Sequence, residues 1–215
     1  MPVVISGTDN FVLNADSLGT AAAGAFDYDG KVFYATPQGT QRGVVPGAQF
    51  FRLDSGLAGA NVNTAQSVFG VGVTLSASTV YAFETVVALS KSAGTTSHTV
   101  GIGFGGTATL NGILYQIIAN EATSALPATR VNQTQTLITT NVATNTTIDT
   151  ANTSAAFSCT FAARGTVSIN AGGTFIPQYT LSAAPGGAYT TQAGSYFLIY
   201  PIGASGANVN VGTWA

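Results

Sequence analysis

Charge is what this chain lacks most. Only 14 of its 215 residues are Asp, Glu, Lys or Arg, about a quarter of the share in an ordinary soluble domain. A folded monomer of this length exposes roughly 9,000 Å², so its charges are spread at about one per 650 Å². Much of the surface must then be Ala, Gly, Thr, Ser and Asn, which another protein can cover while stripping water from few ions. Basic clusters are missing too: Lys31, Arg42, Arg52, Lys91, Arg130 and Arg164 stand singly. That excludes the phosphate-neutralising footprint of a nucleic-acid binder. The single cysteine, Cys159, lies in an apolar run and can form no internal disulfide, so core burial is expected. No stretch reaches the roughly 18 to 20 apolar residues of a membrane helix. The start, Met1-Pro2-Val3-Val4-Ile5-Ser6, lacks the basic and apolar regions of a signal peptide, which predicts a chain made in a cytoplasm. Helical periodicity is nearly absent, and there is no fixed-period repeat of the kind that builds solenoids or stalks.

What is present is a succession of short β-branched or aromatic runs bounded by Gly, Pro, Asn and Ser, the pattern of an all-β sandwich or barrel. The pattern predicts an antiparallel β-sandwich over residues 24–215, preceded by an extended arm, 1–23, rich in small residues. The clearest hairpin is Phe26 to Tyr34, with Asp29-Gly30 as a two-residue type I′ turn and Pro37 ending its second strand. Further strands are expected at Ala48–Leu53, Ser67–Leu75, Thr79–Leu89, Ser97–Phe104 and Leu110–Ala119. Later ones follow at Ala155–Ala163, Thr166–Asn170, Thr174–Ser182, Tyr196–Ile202 and Val209–Trp214. In Val68–Val73 and His98–Phe104 apolar residues alternate with glycines, which predicts a sheet face closely covered either by the opposite sheet or by a neighbouring subunit. The Thr- and Asn-rich stretch 120–153 reads as a polar edge hairpin or surface excursion, and 183–194 as a loop.

Candidate chemistry is thin. His98 is the only histidine and lies on an expected strand, where a structural role outweighs that of a general base. No Gly-x-Ser-x-Gly elbow and no Cys/His set with metal-ligand spacing occurs. The glycines 101, 103, 105 and 106 lack the following helix of a nucleotide site. Asp27 and Asp29 imitate the opening of a calcium loop without its closing Glu, and the hairpin turn accounts for them. Glu84 and Glu121 are isolated. Three Asn-x-Ser/Thr triplets, at Asn132, Asn145 and Asn152, follow from composition alone. The sequence therefore calls for no catalytic residue, no metal and no cofactor. Tyr179, Tyr189, Tyr196, Tyr200 and Trp214 remain as groups that could anchor a subunit contact or stack on sugar rings. Alternation in Tyr196-Phe197-Leu198-Ile199-Tyr200 sends the two tyrosines to one face. The expected interface residues are Tyr196, Tyr200, Tyr179 and Trp214.

Gly24-Ala25-Phe26-Asp27-Tyr28-Asp29-Gly30-Lys31-Val32-Phe33-Tyr34-Ala35-Thr36-Pro37, then Arg42-Gly43-Val44-Val45-Pro46, resemble virion structural proteins of tailed bacteriophages. The resemblance continues through Phe69 to Leu75, Gly101 to Ala108 and Gly173 to Tyr179, and so covers most of 24–215. Related-looking modules occur in head-decoration (cement) proteins and at the ends of tail-fibre chains. Only about 23 residues precede the hairpin here, which suits the compact decoration protein better than a fibre with a long shaft. The resemblance implies a non-enzymatic, jelly-roll-like protein, commonly trimeric, assembled in the host cytoplasm. It would sit on the outside of the capsid and bind the major capsid protein. The alternative it implies is a receptor- or glycan-binding module of a tail fibre or spike.

Overall fold

Alternation of inward and outward residues in long β-branched strands organises the molecule. A computed structural model describes residues 13–123, 132–140, 145–149 and 151–214. The strands are β1 (Ala25–Tyr28), β2 (Phe33–Thr36), β3 (Gly43–Val45), β4 (Gln49–Arg52), β5 (Leu57–Ala58), β6 (Gln66–Ser67), β7 (Val73–Leu75) and β8 (Thr79–Lys91). They continue with β9 (Val100–Gly105), β10 (Thr109–Ala122), β11 (Asn132–Thr140), β12 (Thr146–Thr147), β13 (Phe157–Ala171), β14 (Gly173–Leu181), β15 (Thr190–Thr191) and β16 (Tyr196–Ala204). All pairings are antiparallel, and no helix occurs among the described residues.

The chain is an all-β sandwich. Its larger sheet runs β11-β10-β13-β8, and β8 then pairs with β16 along most of its length and with β15 near its end; β4 lies outside β16 and β5 outside β15. The second sheet runs β12-β9-β14, with β6 and β7 both on the far side of β14. The long-range pairs nest as in a jelly roll: β8 with β16, β9 with β14, β10 with β13. The larger sheet then joins two of those pairs directly through β8 and β13.

Between the sheets lies an aromatic layer. Phe83 of β8 meets Phe104 of β9 edge-on at 5.3 Å between ring centroids and stacks on Phe197 of β16 at 5.8 Å. Phe104 stacks on Phe175 of β14 at 4.6 Å and meets Tyr115 of β10 edge-on at 5.3 Å. All five are buried, and each buried aromatic stabilises the fold by about 1.5–3 kcal/mol. Cys159 is fully buried in the same core, as expected.

Several sequence expectations need correction. The hairpin forms, but Tyr28 pairs with Phe33, so residues 29–32 make a four-residue loop in place of the two-residue turn. Asp29 closes it: its Oδ1 accepts from the N–H of Lys31 at 2.8 Å and of Val32 at 2.7 Å, while Oδ2 accepts from the Tyr34 hydroxyl at 2.9 Å. Gly30 supplies the left-handed φ of 88°. The expected strand 67–75 is split into β6 and β7 because Gly70 turns left-handed, φ 72°. The expected strand 209–214 is absent; Gly212 within it, and Gly206 just before it, hold positive φ. β1 to β3 form a separate small sheet. The arm's residues 13–23 run beside it without strand structure, held by Asp16 N–H to Tyr28 O (3.1 Å) and by Arg42 Nη2 to Gly19 O (2.7 Å). The arm's first twelve residues lie outside the described residues, as do 124–131 and 141–144 of the Thr/Asn-rich stretch. Part of that stretch is β11, at the edge of the larger sheet.

The two strands expected at 155–163 and 166–170 are one, β13, running straight through Arg164-Gly165. Gly165 lies in register between Tyr115 and Phe83, two inward aromatics. A Cβ there would stand 2.6 Å from the Tyr115 Cβ and 2.0 Å from the Leu114 carbonyl oxygen. The glycine leaves room for its neighbours' rings. Gly165→Ala is expected to cost about 2 kcal/mol or more through overpacking against backbone, read as a lower denaturation midpoint in urea. An unchanged midpoint would contradict this packing.

Candidate interaction surface

The inner face of the larger sheet is filled by the core; on the outer face Glu84, Val86, Leu114, Ala162 and Arg164 are exposed, while at the end beside Val80 the tail's Val209 lies over Gly203. Register places its outward side chains in rows. One runs Phe50, Leu198, Glu84, Arg164, Gln116 across β4, β16, β8, β13 and β10. The next runs Arg52, Tyr196, Val86, Ala162, Ile118, and a third runs Tyr200, Ala82, Thr166, Leu114. Phe50, Val86 and Leu114 are exposed, and Phe50 stacks on Tyr196 with centroids 5.5 Å apart. Five adjoining strands thus carry a largely apolar surface with Glu84 and Arg164 at its centre and Arg52, paired with Asp54, at its edge. The Tyr196 hydroxyl donates to Glu84 Oε1 at 3.2 Å. Among the described residues the ion pairs are Arg42–Asp27 and Arg52–Asp54, so Glu84 and Arg164, although neighbours in register, are not joined to each other.

A second apolar area opens where the sandwich gapes between β4 and β7. It is a groove of about 320 Å³ lined by Phe50, Phe51, Phe69, Val71, Val73, Pro177, Phe197 and Ile199. Phe51 is 40 % and Val71 50 % exposed, and Phe51 meets Phe69 edge-on at 5.7 Å. Among the described residues no charged side chain lines it, and β4 pairs only with β16 and β7 only with β14, so each strand leaves one edge without a described partner.

The sequence-predicted interface residues separate. Tyr196 and Tyr200 share the outer face, as alternation required, and Leu198 joins them there. Trp214 is 79 % exposed near the C-terminus. Tyr179 is 1 % exposed, pointing inward from β14, and Tyr189 is fully buried; neither ring reaches the surface. Residues that sequence reasoning missed, Phe50, Val86, Leu114, Ile118 and the Glu84/Arg164 pair, lie at the outward positions of strands whose inward set was legible. The glycine strands are covered by this chain's own side chains: Asn145 lies over Gly101, Gln178 over Gly105 and Ile176 over Gly72.

Away from these areas, His98, Lys91, Glu121 and Asp149 are buried. His98 is buried between its partners, Nδ1 2.7 Å from the Thr96 carbonyl and Nε2 2.7 Å from the Tyr189 hydroxyl. A carbonyl can only accept, so Nδ1 carries the proton and the Tyr189 O–H donates to Nε2. Burial, with the Lys91 charge nearby, holds the imidazole below its usual pKa. Both nitrogens are engaged away from solvent, a structural histidine. Buried Lys91 donates to the carbonyls of Gly94 (2.8 Å) and Ser154 (2.5 Å). No group of three or more His, Cys, Asp and Glu among the described residues is placed to hold a metal ion, and no helix there is long and apolar enough to cross a membrane.

Asp149 is buried, its Oδ1 accepting from the Val100 N–H at 2.5 Å. Burial pushes its pKa up to about 7, against the pull of that hydrogen bond, and the Glu121 charge adds to the rise. Between about pH 4 and about pH 7 the folded protein then keeps a proton that the unfolded chain releases, so stability falls as pH rises through this window and levels off above it. The loss is on the order of 4 kcal/mol at most. Asp149→Asn keeps the acceptor and cannot ionise, so this slope should vanish from urea midpoints measured from pH 4 to pH 8; a slope that persists would contradict the assignment. No protein-family model and no curated protein matches the sequence. Among solved structures the chain is similar, over 76 % of its length and 43 % of the other chain, to one of the infectious bursal disease virus Gx strain, at 5 % identity and TM-score 0.20. It is likewise similar to the VP2 subviral particle of infectious bursal disease virus, over 79 % of this chain and 47 % of that one, at 8 % identity and TM-score 0.21. The chain spans less than half of either, and a likeness at this level carries no argument about function.

Proposed function

We propose that this chain is a non-enzymatic virion structural protein that binds the outside of a phage head and ties capsid subunits together. The observation that carries the reading is the pair of apolar areas, the outer sheet face and the β4–β7 groove, on a chain with so little charge. Bridging needs at least two contact areas on one molecule, and each can be covered with few ions to desolvate. Many copies making several modest contacts hold with high avidity. A ligand that binds only the assembled shell shifts it away from disassembly by mass action. The major capsid protein is the partner this reading names, and the capsid surface the location. The resemblance of most of residues 24–215 to phage virion structural proteins, head-decoration proteins among them, supports the structural class.

A second reading, a glycan-binding module of a tail fibre or spike, draws support from the exposed Trp214 and the Phe50–Tyr196 stack, since flat exposed rings suit sugar faces.

Cosedimentation of the purified protein with expanded capsids, and separately with tails, tests the first reading. Binding to capsids should change little between about 0.1 M and about 1 M salt, over which the Debye length falls from about 10 Å to about 3 Å. Val71→Asp, which places a charge in the groove, should weaken it at least about tenfold. Retention on tails alone, with competition by host surface polysaccharide, would overturn the decoration reading in favour of the second.

A further inference from the structure

We infer that the outer face of the larger sheet is covered by the same face of a second copy, related by a two-fold axis along the strands midway between β8 and β13. This deepens the proposed function and rests on its reading of that face as an assembly surface.

The charges argue for this occupant. Glu84 and Arg164 are direct neighbours across β8 and β13, both exposed, with no ion pair between them. A two-fold axis between these strands lays β8 of one copy over β13 of the other, so Glu84 faces the second copy's Arg164 and the reverse. Two complementary pairs form at once, at the centre of the contact. The face is self-complementary in charge, as an isologous interface requires. A partner of uniform charge would leave one of the two groups buried and unpaired, which is strongly unfavourable.

The same axis matches the apolar rows. Val86 comes over the second copy's Ala162, a larger side chain over a smaller one. Tyr196 comes over Ile118, and Tyr200 over Leu114. Shallow depressions of about 260 and 340 Å³ border Glu84 and Arg164 and can receive side chains from the facing sheet. Two sheets packed this way sit about 10 Å apart with strands crossing at roughly 30°. The four strands that this axis matches, β16, β8, β13 and β10, at about 4.8 Å by some nine residues give roughly 570 Å², before β4 and the facing β11 are counted, against the about 800 Å² per partner of a stable interface. A three-fold ring would need two different patches in each copy, whereas this face pairs with itself. The β4–β7 groove, apart from Phe50 at the rim it shares with this face, stays free for the shell.

Sedimentation equilibrium of the intact chain tests the inference. The wild type should have twice the 21.6 kDa of the chain. Glu84→Arg and Arg164→Glu each set like charges face to face and should weaken the dimer at least about tenfold. Mixing the two variants should yield a heterodimer, because every facing pair is then complementary, and the double variant should recover the homodimer. Circular dichroism checks that each variant is folded; if either reversal fails to fold, Glu84→Gln and Arg164→Gln should each weaken the dimer alone. A monomeric or trimeric wild type, or a dimer indifferent to these changes, would overturn the inference. The two proposals fail separately: a dimer that binds no capsid refutes only the decoration role, and a monomer that binds capsids refutes only the dimer.

Discussion

The two-residue period of the β-strand is the constraint on which this molecule depends. β8 shows it most plainly. Its odd-numbered residues from Thr79 to Lys91 are all buried, while the even ones from Val80 to Ser90 face outward. Inward, Phe83 enters an aromatic layer shared by both sheets. Outward, the same strand presents Ala82, Glu84 and Val86 with no layer of its own chain above them. Since β13, β10 and β16 follow the same alternation in register, a core on one side entails a continuous surface on the other. That surface carries little charge because the chain does.

Low charge has a second consequence inside the fold. With few ions available, the buried ones are managed by hydrogen bonds to backbone more than by ion pairs. Lys91 sits among carbonyls, Asp29 holds the hairpin loop through two N–H groups, and His98 is fixed by a carbonyl and a tyrosine hydroxyl. These groups shape turns and strand ends. The two apolar areas lie elsewhere.

Much of the architecture was legible because periodicity and turn residues are local signals. Strands β8, β10, β14 and β16 fall where β-branched and aromatic runs put them, and the facing of Tyr196 and Tyr200 followed from parity. What failed depended on tertiary context. Gly165 read as a break because glycine weakens an isolated strand, yet its missing side chain is what lets Tyr115 and Phe83 flank it. Val71 read as part of a strand until Gly70 turned the backbone out. Tyr179 read as an interface residue because nothing in its local sequence says which face of β14 meets the larger sheet. The placement of Glu84 beside Arg164 lies beyond any one-dimensional pattern, because it depends on the pairing of strands eighty residues apart.

The central claim is that a charge-poor sandwich with apolar outer areas serves assembly on a viral shell. Cryo-electron microscopy of intact phage particles carrying this chain tests it most directly. The account predicts density matching the sandwich repeated over the icosahedral head, with the β4–β7 groove against the capsid. Density confined to the tail, or particles whose heads lack the chain altogether, would contradict it.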